Sequence, residues 1–192
     1  MEIARAPHPD PADDDPAALI AGIAAGRQDA FAALYTRLQP MMVRYAAGLL
    51  AADRETAADV VDEAFFDIWR TASGFRGEGS VEGWVRRIVR NKAIDAIRRQ
   101  RERVAVDERE SRAFEDLADE ADTPDRLAER ISDGDELWRR MARLSHEHRE
   151  AVWLCYYEEK SLAEIADIVG CPENTVKTRL FHARKLLREG KP

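Results

Sequence analysis

The chain has 192 residues, two cysteines and a formal net charge of −7. This length fits one large domain or two small ones. The sequence contains no signal peptide and no apolar run long enough to cross a bilayer, which excludes a membrane-inserted protein. We therefore expect a cytoplasmic protein with reduced thiols.

The charge is segregated along the chain. Residues 76–103 carry nine cations and four anions, and residues 174–192 carry six cations and one anion. Between them, residues 104–137 hold thirteen acidic residues and four arginines. The net acidity therefore does not exclude a nucleic-acid partner, because two basic segments are held apart by an acidic connector.

Residues 1–15 are rich in proline and aspartate and predict a disordered leader, with Asp15 capping a helix that begins at Pro16. That helix should reach residue 25. Helical spacing of apolar residues predicts a second helix over 29–50, in which Pro40 causes a kink or an interruption, and a third over 54–71.

The third predicted helix has an acidic face opposite its apolar stripe. Asp59, Asp62, Glu63 and Asp67 form this face. Such a face is either solvated surface or a docking site for a basic partner, and composition alone favours solvated surface.

A glycine-rich loop over 71–80 precedes a basic helix predicted for 81–103. Phe75 in this loop could pack on the core or stack on a nucleobase. The helix buries a stripe of tryptophan, valine and isoleucine. Its other positions combine basic and amide side chains, which fits nucleic acid better than a merely solvated face.

The acidic connector has few large apolar residues, so we expect most of it to be extended or mobile. Helical spacing resumes over 133–144, with Trp138 directed inward, and Ser145 should cap a further helix that buries Tyr156. Cys155 and Cys171 should be small buried side chains. The spacing of His146, His148 and Cys155 matches no zinc-ligand pattern, so no metal or cofactor is expected.

The last stretch predicts two helices around a tight corner. Ser161 and Glu164 form a capping box, Gly170 can adopt the left-handed conformation that closes a helix, and Pro172 cannot continue one. A basic second helix follows, which is the pattern of a helix-turn-helix that inserts into the major groove. The alternative is an amphipathic hairpin with a solvated basic face.

No strand-like alternation appears, so the fold should be all-α, with two small helical domains joined by a flexible acidic linker. We place the domains at 16–103 and 132–192 and the linker at 104–131. The sequence shows no phosphate-binding glycine loop, nucleophile elbow or metal-ligand set, and an enzyme is therefore not expected.

Three motifs together resemble one family: DVVDEAFFDIWR at 59–70, FRGEGSVEGWVRRIVRNKAIDAIRR at 75–99 and SLAEIADIVGCPENTVKTRLFHARKLL at 161–187. The chain resembles the extracytoplasmic-function (ECF, group IV) sigma factors of the sigma-70 family. The resemblance implies a subunit that binds core RNA polymerase, melts promoter DNA with its first domain (region 2) and reads duplex DNA with its second (region 4).

The resemblance also implies residue roles. A pocket at Asn91 would take a flipped base of the minus-ten element, and phosphate contacts would come from basic residues of the same helix. The candidate minus-ten residues are Phe75, Arg76, Arg87, Arg90, Asn91, Lys92, Asp95 and Arg98, with Arg86 and Arg99 as further phosphate contacts. The candidate minus-thirty-five residues are Thr175, Lys177, Thr178, Arg179, Phe181, His182, Arg184 and Lys185.

Polymerase docking is implied for Asp59, Asp62, Glu63, Phe66 and Asp67, which would face the clamp coiled coil of the largest subunit. The flap of the polymerase and an anti-sigma factor are further implied partners. Two other functions stay open from the residues. One is a stand-alone helix-turn-helix regulator of the LuxR type, and the other is a sigma mimic that sequesters an anti-sigma factor.

Overall fold

The computed structural model describes residues 15–114 and 134–189. Within these ranges the chain is helical and contains no strand, which confirms the all-α prediction. The described residues form eight α-helices: α1 (Pro16–Ala24), α2 (Gln28–Leu50), α3 (Arg54–Thr71), α4 (Val81–Phe114), α5 (Gly134–Ala142), α6 (His146–Val152), α7 (Leu162–Val169) and α8 (Glu173–Glu189). The predicted leader and most of the predicted linker lie outside the described residues.

The N-terminal domain is a bundle in which α2, α3 and α4 pack on one another and α1 covers one side. Its core contains fully buried Leu34, Met42, Phe65 and Val85. Within each helix the buried residues recur at helical spacing, so each helix buries one stripe and exposes its charged face. Asp15 caps α1 by accepting a hydrogen bond from the Ala17 N–H at 3.1 Å, as predicted.

Helix α2 continues through Pro40 as a single helix. Proline removes one backbone hydrogen bond from a helix, and Pro40 lies on the exposed side. The extensive burial on the opposite side, including Leu38 and Met42, therefore holds the helix together across this position.

Helix α4 is longer than predicted. The predicted extended connector begins at residue 104, but α4 continues to Phe114. That expectation was wrong for residues 104–114. No glycine or proline occurs between Trp84 and Phe114, and the acidic and basic residues that fill this stretch are good helix formers, so net charge alone did not end the helix.

The C-terminal domain packs α6 and α7 against α8. Its core includes Leu144, Leu154, Ile165, Val176 and Leu180. The predicted cap at Ser145 is present, since its hydroxyl accepts from the His148 N–H. A π-helical turn, Trp153–Tyr157, follows α6.

Two side chains of this domain are more exposed than predicted. Trp138 is 40% exposed and Tyr156 is 58% exposed. Helical spacing placed both among the buried residues, but the domain is too small to cover them. Cys155 and Cys171 are free thiols and only partly buried.

The capping box at the start of α7 is confirmed in both directions. The Ser161 hydroxyl accepts from the Glu164 N–H at 3.3 Å, and the Glu164 carboxylate accepts from the Ser161 N–H at 2.9 Å. Gly170 closes the helix with φ of 70°. These interactions fix the direction in which the chain enters and leaves α7.

We expect Ser161→Ala to lower the free energy of unfolding of the C-terminal domain by about 1 kcal/mol, because it leaves helix N–H groups without an acceptor. Denaturant unfolding followed by circular dichroism measures this change. Glu164→Ala supplies the second edge of a double-mutant cycle. Because the two side chains act on each other, the combined loss should be smaller than the sum, and strict additivity would contradict the capping box.

The two domains contact each other directly. Helix α6 packs against α2, and the ring of Trp153 lies against Gly48. From the sequence, the two basic helices are expected to be held apart by the connector. Instead, the described residues place α6 of the second domain on α2 and α4 of the first.

Candidate nucleic-acid and polymerase interfaces

Helix α4 carries most of the predicted minus-ten residues. Arg76, Arg87, Asn91, Asp95 and Arg98 are exposed, as a nucleic-acid surface requires. These five occupy the glycine-rich loop and the solvent side of α4.

Asn91 lies at the edge of an open cavity of about 470 Å³. The cavity joins α4 to the end of α3 and is lined by Asp67, Arg70, Thr71, Ile88, Asn91, Lys92 and Asp95. Lys92 forms an ion pair with Asp67 at 2.9 Å across it. The structure thus brings Asn91, Lys92 and Asp95 together, and adds Asp67, which was predicted for a different surface.

Phe75 packs on the protein. Its ring lies 5.4 Å from the ring of Trp84, centroid to centroid, and its side chain is partly buried. Of the two alternatives for this residue, packing on the core is the one that the structure shows. The exposed neighbour Arg76 leaves a charged group on the loop.

Two cations predicted to contact phosphates are engaged by carboxylates of the C-terminal domain. Arg90 donates through Nε and Nη2 to the two oxygens of Glu150, at 2.6 and 3.0 Å. Arg86 donates through Nη1 to both oxygens of Glu158, at 2.9 and 2.7 Å. In this arrangement neither guanidinium group faces solvent in the way the prediction required.

The same contact includes a buried phenol. The hydroxyl of Tyr45 donates to Glu150 at 2.6 Å, and both side chains are fully buried. Burial raises the pKa of Tyr45 well above its ordinary value, and the Glu150 carboxylate raises it further. Tyr45 therefore remains a hydrogen-bond donor to Glu150 at any physiological pH.

Helix α8 presents the predicted minus-thirty-five face. Val176, Leu180 and Ala183 are buried against α6 and α7, which turns the opposite side outward. Most of the predicted residues are exposed, namely Lys177, Thr178, Phe181, His182, Arg184 and Lys185, while Thr175 and Arg179 are partly buried. Among these residues, Phe181 is an exposed aromatic, with an exposed fraction of 64%.

Two histidines lie close together beside the middle of α8. The rings of His148 and His182 lie 6.3 Å apart. Burial lowers the pKa of His148, Glu147 opposes this, and electrostatic interaction with His182 and Arg179 lowers the pKa further. His148 is therefore neutral near pH 7, and its Nδ1 lies 3.1 Å from the Ser145 hydroxyl. No group of residues suited to hold a metal ion occurs in the described ranges.

The predicted polymerase face on α3 combines acidic and aromatic groups. Asp59, Asp62 and Glu63 are exposed, and Asp62 accepts a hydrogen bond from Tyr35 at 2.8 Å. Beside them is an open depression of about 600 Å³, lined by Gln28, Phe31, Tyr35, Asp62, Phe65, Phe66 and Trp69. Phe66 is 71% exposed at its edge.

A second apolar surface lies on the C-terminal domain and was not predicted. It is a groove of about 570 Å³ between α5, the π-helical turn and the end of α8, lined by Trp138, Met141, Val152, Trp153, Tyr156, Tyr157, Arg184, Leu187 and Arg188. The sequence predicted that Trp138 and Tyr156, two of its aromatic residues, would be buried. The signal that could have revealed the groove is the number of aromatics, which exceeds what so small a domain can bury.

Two family profiles match the chain. The profile "Sigma-70 region 2" matches residues 34–103, and the profile "Sigma-70, region 4" matches residues 134–187. The first covers α3 and most of α2 and α4, and the second covers α5 to α8. The two domains are thus those of sigma factors of the sigma-70 type.

Relatives narrow this class. An ECF RNA polymerase sigma-E factor of Haemophilus influenzae is 30% identical over 88% of this chain and 92% of its own length. The ECF sigma factor SigM of Mycobacterium tuberculosis is 31% identical over 89% of this chain and 82% of its own. A probable sigma factor, RfaY, of Xanthomonas campestris is 30% identical over 86% of this chain, which spans only 41% of that protein. The chain belongs to the ECF RNA polymerase sigma factors.

Solved structures agree with the fold. The sigma factor RpoE of Bartonella quintana, in complex with the anti-sigma factor NepR, is 25% identical and superposes with a TM-score of 0.57 over 81% of this chain and 92% of its own. The structure of CnrH with the cytosolic domain of CnrY gives 0.59 at 23% identity, over 92% of this chain and 96% of its own. None of the described helices is both long and apolar enough to cross a membrane.

Proposed function

We propose that this chain is a group IV ECF sigma factor that binds core RNA polymerase, selects promoters and starts transcription under the control of an anti-sigma factor. The observation that carries the proposal is the pairing of a region 2 and a region 4 domain in one chain, with cationic helices in both. The chain itself performs no bond chemistry and acts in the cytoplasm, where its polymerase works.

Region 2 would recognise and melt the minus-ten element. Supporting this role, Asn91 borders an open cavity whose rim also carries Lys92 and Arg70. Taking a base out of the stack costs a few kcal/mol, which a pocket can offset by hydrogen bonds to the base edge. An amide offers both a donor and an acceptor for this purpose, and exposed Arg87 and Arg98 would hold phosphates.

Region 4 would read the minus-thirty-five element through α8. Lys177, Thr178, Phe181 and His182 lie exposed on the face opposite its buried stripe. Arg179, Arg184 and Lys185 would mainly contact phosphates, which fix register without reading sequence. Histidine at 182 makes one hydrogen bond to a base edge where an arginine could make two, so base preference there should be weak.

We expect Lys177→Ala to weaken binding of the minus-thirty-five duplex by about 1–3 kcal/mol if Lys177 reads a base. Fluorescence anisotropy with a matched and a scrambled duplex measures the change. Lys191→Ala serves as control, since it removes the same charge from the end of the basic segment. An equal loss on both duplexes would assign Lys177 to a phosphate instead.

The acidic face of α3 would dock on the clamp coiled coil. Asp59, Asp62 and Glu63 supply charge, Phe66 supplies an exposed apolar anchor beside an aromatic depression, and Asp67 extends the face toward the Asn91 cavity. The apolar groove on region 4, with Arg184 and Arg188 beside its aromatic residues, fits an amphipathic helix with acidic flanks. The polymerase flap and the anti-sigma factor are the partners we assign to it.

Run-off transcription with purified core polymerase tests the proposal. Transcripts that start at defined genomic promoters only when the chain is added would support it. Absence of core-dependent transcripts across a genomic promoter library would overturn it. Duplex binding without any effect on polymerase would instead favour a stand-alone regulator.

A further inference from the structure

The contact between the two domains is closely fitted. Gly48 of α2 faces the ring of Trp153, and a methyl group at position 48 would overlap that ring. The Arg149 side chain crosses the same contact, donating from Nε to the Leu49 carbonyl at the end of α2, at 3.0 Å. A cation is favourable at a helix C-terminus, where carbonyl groups lack partners. Both shape and hydrogen bonding therefore stabilise the association.

Charge completes the contact. Glu150 is fully buried, yet it is a carboxylate of α6 whose hydrogen-bond donors come from the other domain, Tyr45 of α2 and Arg90 of α4. A buried charge is tolerated only when it is paired and hydrogen-bonded. The environment of Glu150 is therefore complete only while the domains are together, and water must replace both donors when they separate.

Arg86 forms the second charged link. Its guanidinium group lies 5.0 Å above the Tyr45 ring and binds Glu158, which follows the π-helical turn. The side chains of Arg86 and Glu158 are only 7% and 14% exposed. Arg86 and Arg90 are four residues apart and so lie on one face of α4, where both are held by carboxylates of the C-terminal domain.

A carboxylate and a phosphate bind a guanidinium group through the same fork of N–H donors. One guanidinium group cannot serve both at once. The arrangement that satisfies Glu150 and Glu158 therefore removes two cations of α4 from any nucleic acid that approaches it. Contact between the domains and phosphate binding by these two arginines exclude each other.

We propose that α6 and the residue after its π-helical turn act as an intramolecular inhibitor: Glu150 and Glu158 occupy Arg90 and Arg86, and DNA binding by α4 requires region 4 to leave region 2. In the open form, phosphate oxygens replace the two carboxylates. The inference rests on the proposed function only in assigning DNA to α4. The apparent affinity of the chain for DNA is its intrinsic affinity multiplied by the fraction of molecules that are open, so a mostly closed chain binds DNA weakly.

Gly48→Ala in the full chain is the decisive variant. Alanine favours the α2 helix itself but clashes with Trp153, so region 2 should stay folded while the domains separate. Small-angle scattering of the isolated protein should show a larger radius of gyration. Binding of the isolated full-length variant to a forked minus-ten probe should be tighter than binding of the isolated wild-type chain by about threefold or more.

Gly22→Ala is the matched control. A methyl group there would press on Ala30 inside the same domain. It should lower the melting temperature without changing the radius of gyration or the probe affinity. The double variant Glu150→Gln, Glu158→Gln weakens the charged links without touching the glycine, and it should open the chain in the same way as Gly48→Ala.

The outcomes separate the two proposals. An unchanged radius of gyration in Gly48→Ala and in the double glutamine variant overturns the inhibitory contact, as does an opened chain that binds the probe no better than wild type. Transcription by the wild-type chain is measured alongside. If the wild type gives no core-dependent transcripts, the proposed function fails, whatever the scattering shows.

Discussion

Replacing Phe65 with alanine is expected to lower the free energy of unfolding of region 2 by about 3–5 kcal/mol, the usual loss for a buried phenylalanine. Phe65 is 1% exposed. Its ring meets Phe31 and Tyr35 edge to face, at centroid distances of 6.2 and 4.9 Å. Removing it leaves a cavity between α2 and α3 and also removes both aromatic contacts. Thermal and denaturant unfolding measure the loss.

The adjacent residue provides the control. Phe66 has the same side chain in the same helix but is 71% exposed, so Phe66→Ala should change the unfolding free energy by no more than about 0.5 kcal/mol. On the proposed function it should instead weaken binding of core polymerase. If both substitutions destabilise the fold equally, the assigned orientation of α3 is wrong. If Phe66→Ala leaves polymerase affinity unchanged, Phe66 does not belong to the docking face.

The features predicted correctly from sequence are those determined by neighbouring residues. The capping box at Ser161 and Glu164 and the left-handed Gly170 each depend on residues a few positions apart. Patterns of such short range can be recognised directly in the sequence. The helix-turn-helix and the order of the helices followed from them.

The interdomain contact could not be predicted in this way. Glu150 is 105 residues from Tyr45 and 60 from Arg90, and nothing local marks them as partners. The one available signal was a carboxylate immediately before the apolar run Ala151–Leu154, where burial would demand a donor from elsewhere. The charge count of the segment includes Arg86 and Arg90 as cations, but it does not identify the carboxylates that they bind.

The error at α4 has a related cause. A run of acidic residues is typical of solvated chain, and the sequence analysis treated 104–114 accordingly. Helix formation depends on the mixture of residues and on the helix that is already propagating, since adding a residue to an existing helix avoids the cost of nucleation. The stable part of α4 therefore extends into residues that would not start a helix alone.

Two groups compete for the arginines of α4: the carboxylates of region 4 and the phosphates of promoter DNA. Asn91 distinguishes these two interactions, because it is exposed, and the residues that bind Glu150 and Glu158 are Arg90 and Arg86. A substitution there should leave the closed form intact. Its effect on transcription would therefore report on DNA recognition alone.

We expect Asn91→Ala to reduce open-complex formation by about ten- to several-hundredfold, because the pocket would lose the hydrogen bonds that offset a flipping cost of a few kcal/mol. Fluorescence of 2-aminopurine beside the flipped base measures melting directly. Binding of the minus-thirty-five duplex should be unchanged, whereas Lys177→Ala should weaken that binding and spare melting of a promoter already bound. Equal losses in both assays for Asn91→Ala would refute the pocket role, since a single base contact in region 2 cannot weaken a duplex held by α8.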